Sequence, residues 1–104
     1  MAIIEGVLLE EINRLEQNIT SYQEMLVSLP RGSIFIRKMG NSHFVYRKRK
    51  EDGKVISEYL GNMNDKDVQR QISLSKDYKR ISNNIRIAKR ELVKLRKAYK
   101  AYDW

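Results

Sequence analysis

No cysteine occurs among the 104 residues, so disulfides, thiolate zinc fingers, iron–sulfur clusters and cysteine nucleophiles are excluded. The one histidine, His43, rules out the usual histidine-rich metal clusters. Proline occurs once, at Pro30, and after Gly61 there is no glycine at all, so the segments before Pro30 and after Gly61 can each run as a long helix. No apolar stretch approaches the roughly 20 residues that span a bilayer. The opening residues, Met1 to Glu11, include a short apolar run but neither a basic n-region nor a small-residue cleavage site. A soluble, cytoplasmic protein with no membrane partner is expected.

Catalytic sets are also wanting. His43 has no evident serine or carboxylate partner. Asp52-Gly53-Lys54, with Glu51 and Glu58 nearby, has the look of the carboxylate-x-lysine element of metal-dependent nucleases, but a β-turn accounts for Asp52-Gly53 and no further acidic strand residue completes a metal site. No glycine loop is built to cradle a phosphate. The expectation is a protein that is not an enzyme and takes no cofactor or metal.

What is abundant is charge. Lys and Arg number 21 against 13 Asp and Glu, a formal net charge of +8, and charged residues make up 33% of the chain, above the roughly 25% of an average domain. Leu, Ile, Val and Phe still exceed the roughly 20% below which a charged chain tends to stay disordered. One folded domain without a thick core is expected.

Apolar positions before Pro30 run Leu8, Ile12, Leu15, Ile19, Tyr22, Leu26, Leu29, alternating steps of four and three. That is a heptad seam. The same pattern returns in Leu74, Tyr78, Ile81, Ile85, Ala88, Leu92, Leu95, Tyr99 and Tyr102. Helices over about 3–29 and 65–100 follow, the second capped by Asn64 and with Asp65 and Asp67 at its positive end. Each stripe is too narrow to bury alone, so an antiparallel coiled-coil hairpin is the economical pairing, with Ile85 and Leu92 against Ile19 and Ile12 and with Glu16 facing Lys89. A homodimer through the same helices is the alternative.

Between the helices the period falls to two. Residues 33–39, 43–50 and 54–60 are rich in β-branched and aromatic residues and are separated by Gly40-Asn41-Ser42 and Glu51-Asp52-Gly53. They predict a three-stranded antiparallel β-meander, about 33–60, resting on the first turns of the second helix through Val68 and Ile72. The fold class expected is α+β, a single domain in which the meander is inserted between two long helices.

Charge is segregated along the chain. Residues 1–30 hold five acidic and one basic side chain, residues 31–63 eight basic and three acidic, and residues 64–104 twelve basic and five acidic. Arg47-Lys48-Arg49-Lys50 places four consecutive cations on one strand, where they repel one another unless a polyanion relieves them. These four are the expected phosphate contacts, with Arg37, Lys38 and Lys54 flanking them and Tyr46 as a base-stacking candidate. If the cluster neutralises about four phosphates of a duplex, log K should fall with log salt at a slope of roughly −3.6. Phe35, Phe44 and Tyr59 interleave with the cations, and Phe44 and Tyr59 are expected to fill the space between sheet and helix. Lysines along the second helix read as an outer face kept wet for solubility.

Leu29-Pro30-Arg31-Gly32-Ser33, the aromatic basic strand ending in Tyr46-Arg47, Asp52-Gly53-Lys54-Val55 and Tyr59-Leu60-Gly61 between two heptad helices resemble small helix/β-meander/helix proteins encoded by bacterial phages and other mobile elements. The resemblance covers most of the chain and is specific for architecture. It implies residence in the cytoplasm of a bacterial host. It also implies a second role, since some proteins of this look are anti-CRISPR inhibitors: binding an RNA-guided CRISPR nuclease, its guide RNA or their complex. The residues themselves favour a non-enzymatic protein that grips RNA or DNA through a basic β-sheet. A weaker resemblance links the three strands to the sheet with which arm-binding domains of tyrosine recombinases enter a DNA groove.

Overall fold

The computed structural model describes residues 2–102. Its elements run α1 (Ala2–Val27), β1 (Ser33–Met39), β2 (Ser42–Glu51), β3 (Lys54–Asn62) and α2 (Lys66–Tyr102). The strands form one antiparallel sheet in the order β1-β2-β3, so the chain is the expected α+β meander between two long helices. It divides into two compact units. One holds α1 and the part of α2 from Arg80 onward; the other runs from Leu29 to Lys79 and holds the sheet and the first turns of α2.

The helical unit is built on the two seams. Ile12, Leu15 and Ile19 of α1 are buried, as are Ile81, Ile85, Ala88 and Leu92 of α2, while Leu8, Tyr22, Leu26, Leu95 and Tyr99 are half-buried. The Tyr102 side chain lies outside the described residues. The antiparallel register differs from the expected one. Arg96, not Lys89, pairs with Glu16, at 2.9 Å, and Ile19 shares a cleft with Leu92 where Ile85 was expected. Both shifts equal one heptad. A seam that repeats every seven residues matches itself after such a slide, so its apolar positions alone leave the register open. On the same helix Arg14 hydrogen-bonds Glu11, and that bond holds the Glu11 carboxyl below the usual carboxylate range.

Helix α1 ends at Val27 rather than near Leu29, because Pro30 pushes the residue before it out of helical backbone and the Ser28 hydroxyl closes the end by donating to the Met25 carbonyl. The start of α2 also differs in detail. The cap is Asp65, whose carboxylate accepts the Asp67 amide at 2.8 Å, and Asn64 lies outside the first turn, its amide bonded to the Asn62 side chain.

In the sheet unit, the turn between β2 and β3 is the two-residue Asp52-Gly53, both with positive φ, the geometry that matches strand twist in a tight hairpin. Val45 at the centre of β2 has no exposed surface, and Val68 of α2 is buried with it. Gly61 lets β3 pass close to α2: its φ is 137°, and a Cβ there would stand 2.8 Å from Val68 Cγ2. A slip in the β2/β3 register between Val45 and Tyr46 leaves Leu60 without a partner and carries β3 on to Asn62.

Candidate nucleic-acid interface

Alternation along three paired strands decides which side chains meet. Pairing of Ile34 with Arg47, Ile36 with Val45, and Arg49 with Ile56 puts these residues on the face toward α2. Phe35 opposite Tyr46, Arg37 opposite Phe44, Tyr46 opposite Tyr59, Lys48 opposite Ser57 and Lys50 opposite Val55 share the other face. No element of the sheet unit covers that second face.

Its centre is aromatic. Phe35 and Tyr46 stack with centroids 5.0 Å apart and planes at 15°, Tyr59 leans on Tyr46 at 5.3 Å and 52°, and Phe44 tilts onto Tyr59 at 6.2 Å. The row crosses all three strands, and such cross-strand pairs add stability beyond burial. It is nonetheless accessible, for Tyr59 keeps 55% of its surface and Phe35, Phe44 and Tyr46 are only half-buried. Cations frame the rings. Lys48 holds its ammonium 4.6 Å from the Phe35 centroid, while Lys50 and Arg37 are exposed and have no ion-pair partner among the described residues. No carboxylate occupies this face of the strands among the described residues: Glu51 and Glu58 are on the α2 side.

The eight residues singled out from the sequence therefore separate into two groups. Arg37, Tyr46, Lys48 and Lys50 come together on the open face. Arg47, Arg49, Lys38 and Lys54 lie on the other, with Lys38 and Lys54 exposed near the strand ends. Arg47 departs most from the expected phosphate contact. Only 6% of it is exposed, and its guanidinium donates to Gln71 Oε1 at 2.8 Å and to Ser75 Oγ at 3.4 Å, tying β2 to α2. Its Nε is buried without a partner. Arg49 is half-buried and neutralised locally, by Glu58 at 3.1 Å and Glu51 at 3.6 Å. Phe44 and Tyr59 correct the expectation in the opposite sense, since neither fills the sheet–helix space. That space is taken by the aliphatic set, Ile34, Val45, Val68 and Ile72. The signal was in the parity: β1 and β2 carry isoleucine and valine at one set of alternate positions and aromatics at the other.

Among the described residues no group of three His, Asp or Glu is placed to hold a metal ion, and no helix is long and apolar enough to cross a membrane. Residues 4–70 match a family described as a domain of unknown function, DUF6788. The chain belongs to that family. The match takes in α1 from its third residue, the whole sheet and the first turn of α2, so the aromatic face falls entirely within it. No curated protein and no solved structure matches the chain.

Proposed function

We propose that this protein is a non-enzymatic nucleic-acid-binding protein that takes RNA or DNA on the open face of its sheet. The observation that carries the reading is a face on which Arg37, Lys48 and Lys50 stand beside four contacting aromatic rings with no strand carboxylate among the described residues. Cations left without counter-charges favour a polyanion, and phosphates are the groups that lysine and arginine recognise in one. Arg37, Lys48 and Lys50 contact phosphates and Tyr46 contributes a ring, while Lys38 and Lys54, on the α2 side of the sheet, stay outside this contact. Arg47 acts through the fold, by fixing the sheet to α2.

Inhibition of an RNA-guided nuclease draws on the sequence resemblance alone, and no feature of either unit favours it. The test is fluorescence anisotropy of labelled single-stranded and duplex oligonucleotides titrated with the protein at several salt concentrations. Binding that weakens steeply with salt and is lost in the Arg37→Gln/Lys48→Gln/Lys50→Gln variant, with circular dichroism unchanged, supports the reading. Absence of binding to every oligonucleotide at low salt rejects it.

A further inference from the structure

We infer that the aromatic row Phe35–Tyr46–Tyr59 is a stacking platform for unpaired bases, so that the ligand of this face is single-stranded nucleic acid rather than duplex. The inference rests on the reading just given and narrows it. In a duplex the base faces are already stacked on one another, and a protein meets only base edges, sugars and phosphates. Side chains suited to those groups are polar. Here the middle of the face is a run of rings, and the cations are set around it: Arg37 opposite Phe44, Lys48 beside Phe35, and Lys50 one alternate position further along β2.

A core explanation of these rings fails on position. The sheet already has an aliphatic face against α2, with Val45 wholly buried there, and no element of this unit lies on the aromatic one. Tyr59 in particular is 55% exposed. Open rings bordered by cations that have no ion-pair partner among the described residues match the two surfaces of an unpaired nucleotide, one apolar and flat, the other anionic.

The arrangement also orders the events. Phe35 and Tyr46 are within 15° of parallel, a ready-made two-ring step whose outer face is covered by the Lys48 ammonium. A base arriving on Phe35 displaces that ammonium, which is then free to meet the adjoining phosphate. A second base rests on Tyr59. Such stacking tolerates any sequence because every base presents a π-face.

The experiment compares a uridine 12-mer, a deoxyuridine 12-mer and a mixed-sequence 12-base-pair duplex by anisotropy, with the wild-type protein and with Tyr59→Leu, Tyr59→Phe and Phe35→Leu. Tighter binding of one or both single strands, lowered about 5- to 150-fold by Tyr59→Leu or Phe35→Leu and kept by Tyr59→Phe, is the expected result. The salt slope should be unchanged in all three variants, because no phosphate contact is removed. Comparison of the uridine 12-mer with the deoxyuridine 12-mer, which differs from it only in the 2′-hydroxyl, tells ribose from deoxyribose as the preferred backbone. Duplex bound at least as tightly as either strand, with the aromatic variants behaving as wild type, overturns the platform while leaving binding through the cations standing. No binding to any of the three overturns both.

Discussion

The two faces of the sheet are made by the same three strands, yet alternate residues serve different ends. Toward α2 the set is Ile34, Ile36, Val45 and Arg47; away from it the set is Phe35, Phe44, Tyr46, Tyr59, Lys48 and Lys50. A single run of four cations, Arg47 to Lys50, is divided by this alternation into one buried hydrogen-bonding arm, one arginine neutralised by glutamates, and two lysines with no ion-pair partner among the described residues. Charge density in a sequence therefore overstates charge on offer. Where period-two structure is expected, a cation cluster should be halved before phosphate contacts are counted.

The two faces should respond most differently when the same change is made on both. Val45, with no exposed surface, and Val55, with 63% exposed, lie on the α2 face and the open face respectively. Val45→Ala removes two buried methyl groups and leaves a cavity, an expected loss of about 2–3 kcal/mol. Val55→Ala should stay within about 0.5 kcal/mol. Urea denaturation of both variants measures the difference, and equal effects would mean that the sheet is not one-sided.

Neighbouring cations give the next test. Arg47→Ala strips Gln71 and Ser75 of their shared donor inside the sheet–helix layer, at an expected cost of about 1–3 kcal/mol, whereas Lys48→Ala should be near neutral for stability. Arg47→Met should recover much of the loss, since it refills the volume and removes a buried cation whose Nε has no partner. Binding should respond in reverse order, with Lys48→Ala weakening it and Arg47→Met leaving it intact. An Arg47→Met variant that folds normally but no longer binds would assign that arginine to the ligand.

How far the sequence revealed this follows from which patterns are unique and which repeat. Period 3.5 in Leu8 to Leu26 and in Leu74 to Tyr99, and period two between Gly32 and Gly61, marked all five elements, because Pro30 and the glycine turns punctuate them. The choice of face was ambiguous, because both parities of β1 and β2 carry apolar residues, aliphatic on one and aromatic on the other. Packing against Val68 at the close approach allowed by Gly61 decides between them, and that contact joins residues distant in sequence. Asp65 replaced Asn64 as cap for a smaller reason: both are good capping residues, and the turn geometry selects one.

The salt dependence sharpens the count of cations. With Arg47 engaged inside the fold and Arg49 paired with Glu51 and Glu58, three cations of the open face remain, so a duplex should give a slope nearer −2.7 than −3.6 and a single strand about −2. Replacing Lys50 with Gln should lower the magnitude by roughly 0.7–0.9, and a slope unaffected by that change would place the phosphate contacts elsewhere, on the lysines of α2.

The smallest effect concerns the helical unit, where repetition in the seam is resolved by charge. Glu16 and Arg96 are both exposed, so their 2.9 Å ion pair should couple by only about 0.2–1 kcal/mol in a double-mutant cycle with Glu16→Gln and Arg96→Gln. The pair is small in energy but large in information, because sliding α2 by one heptad would bring Lys89 to Glu16 and leave the apolar seam equally well filled. A cycle run in parallel with Lys89→Gln should give a coupling near zero. If the coupling appeared with Lys89 and vanished with Arg96, the helices would be paired in the alternative register. The sheet, whose register is fixed by its own turns and by Val45, would be unchanged, so the test separates what each unit owes to local pattern from what it owes to long-range contact.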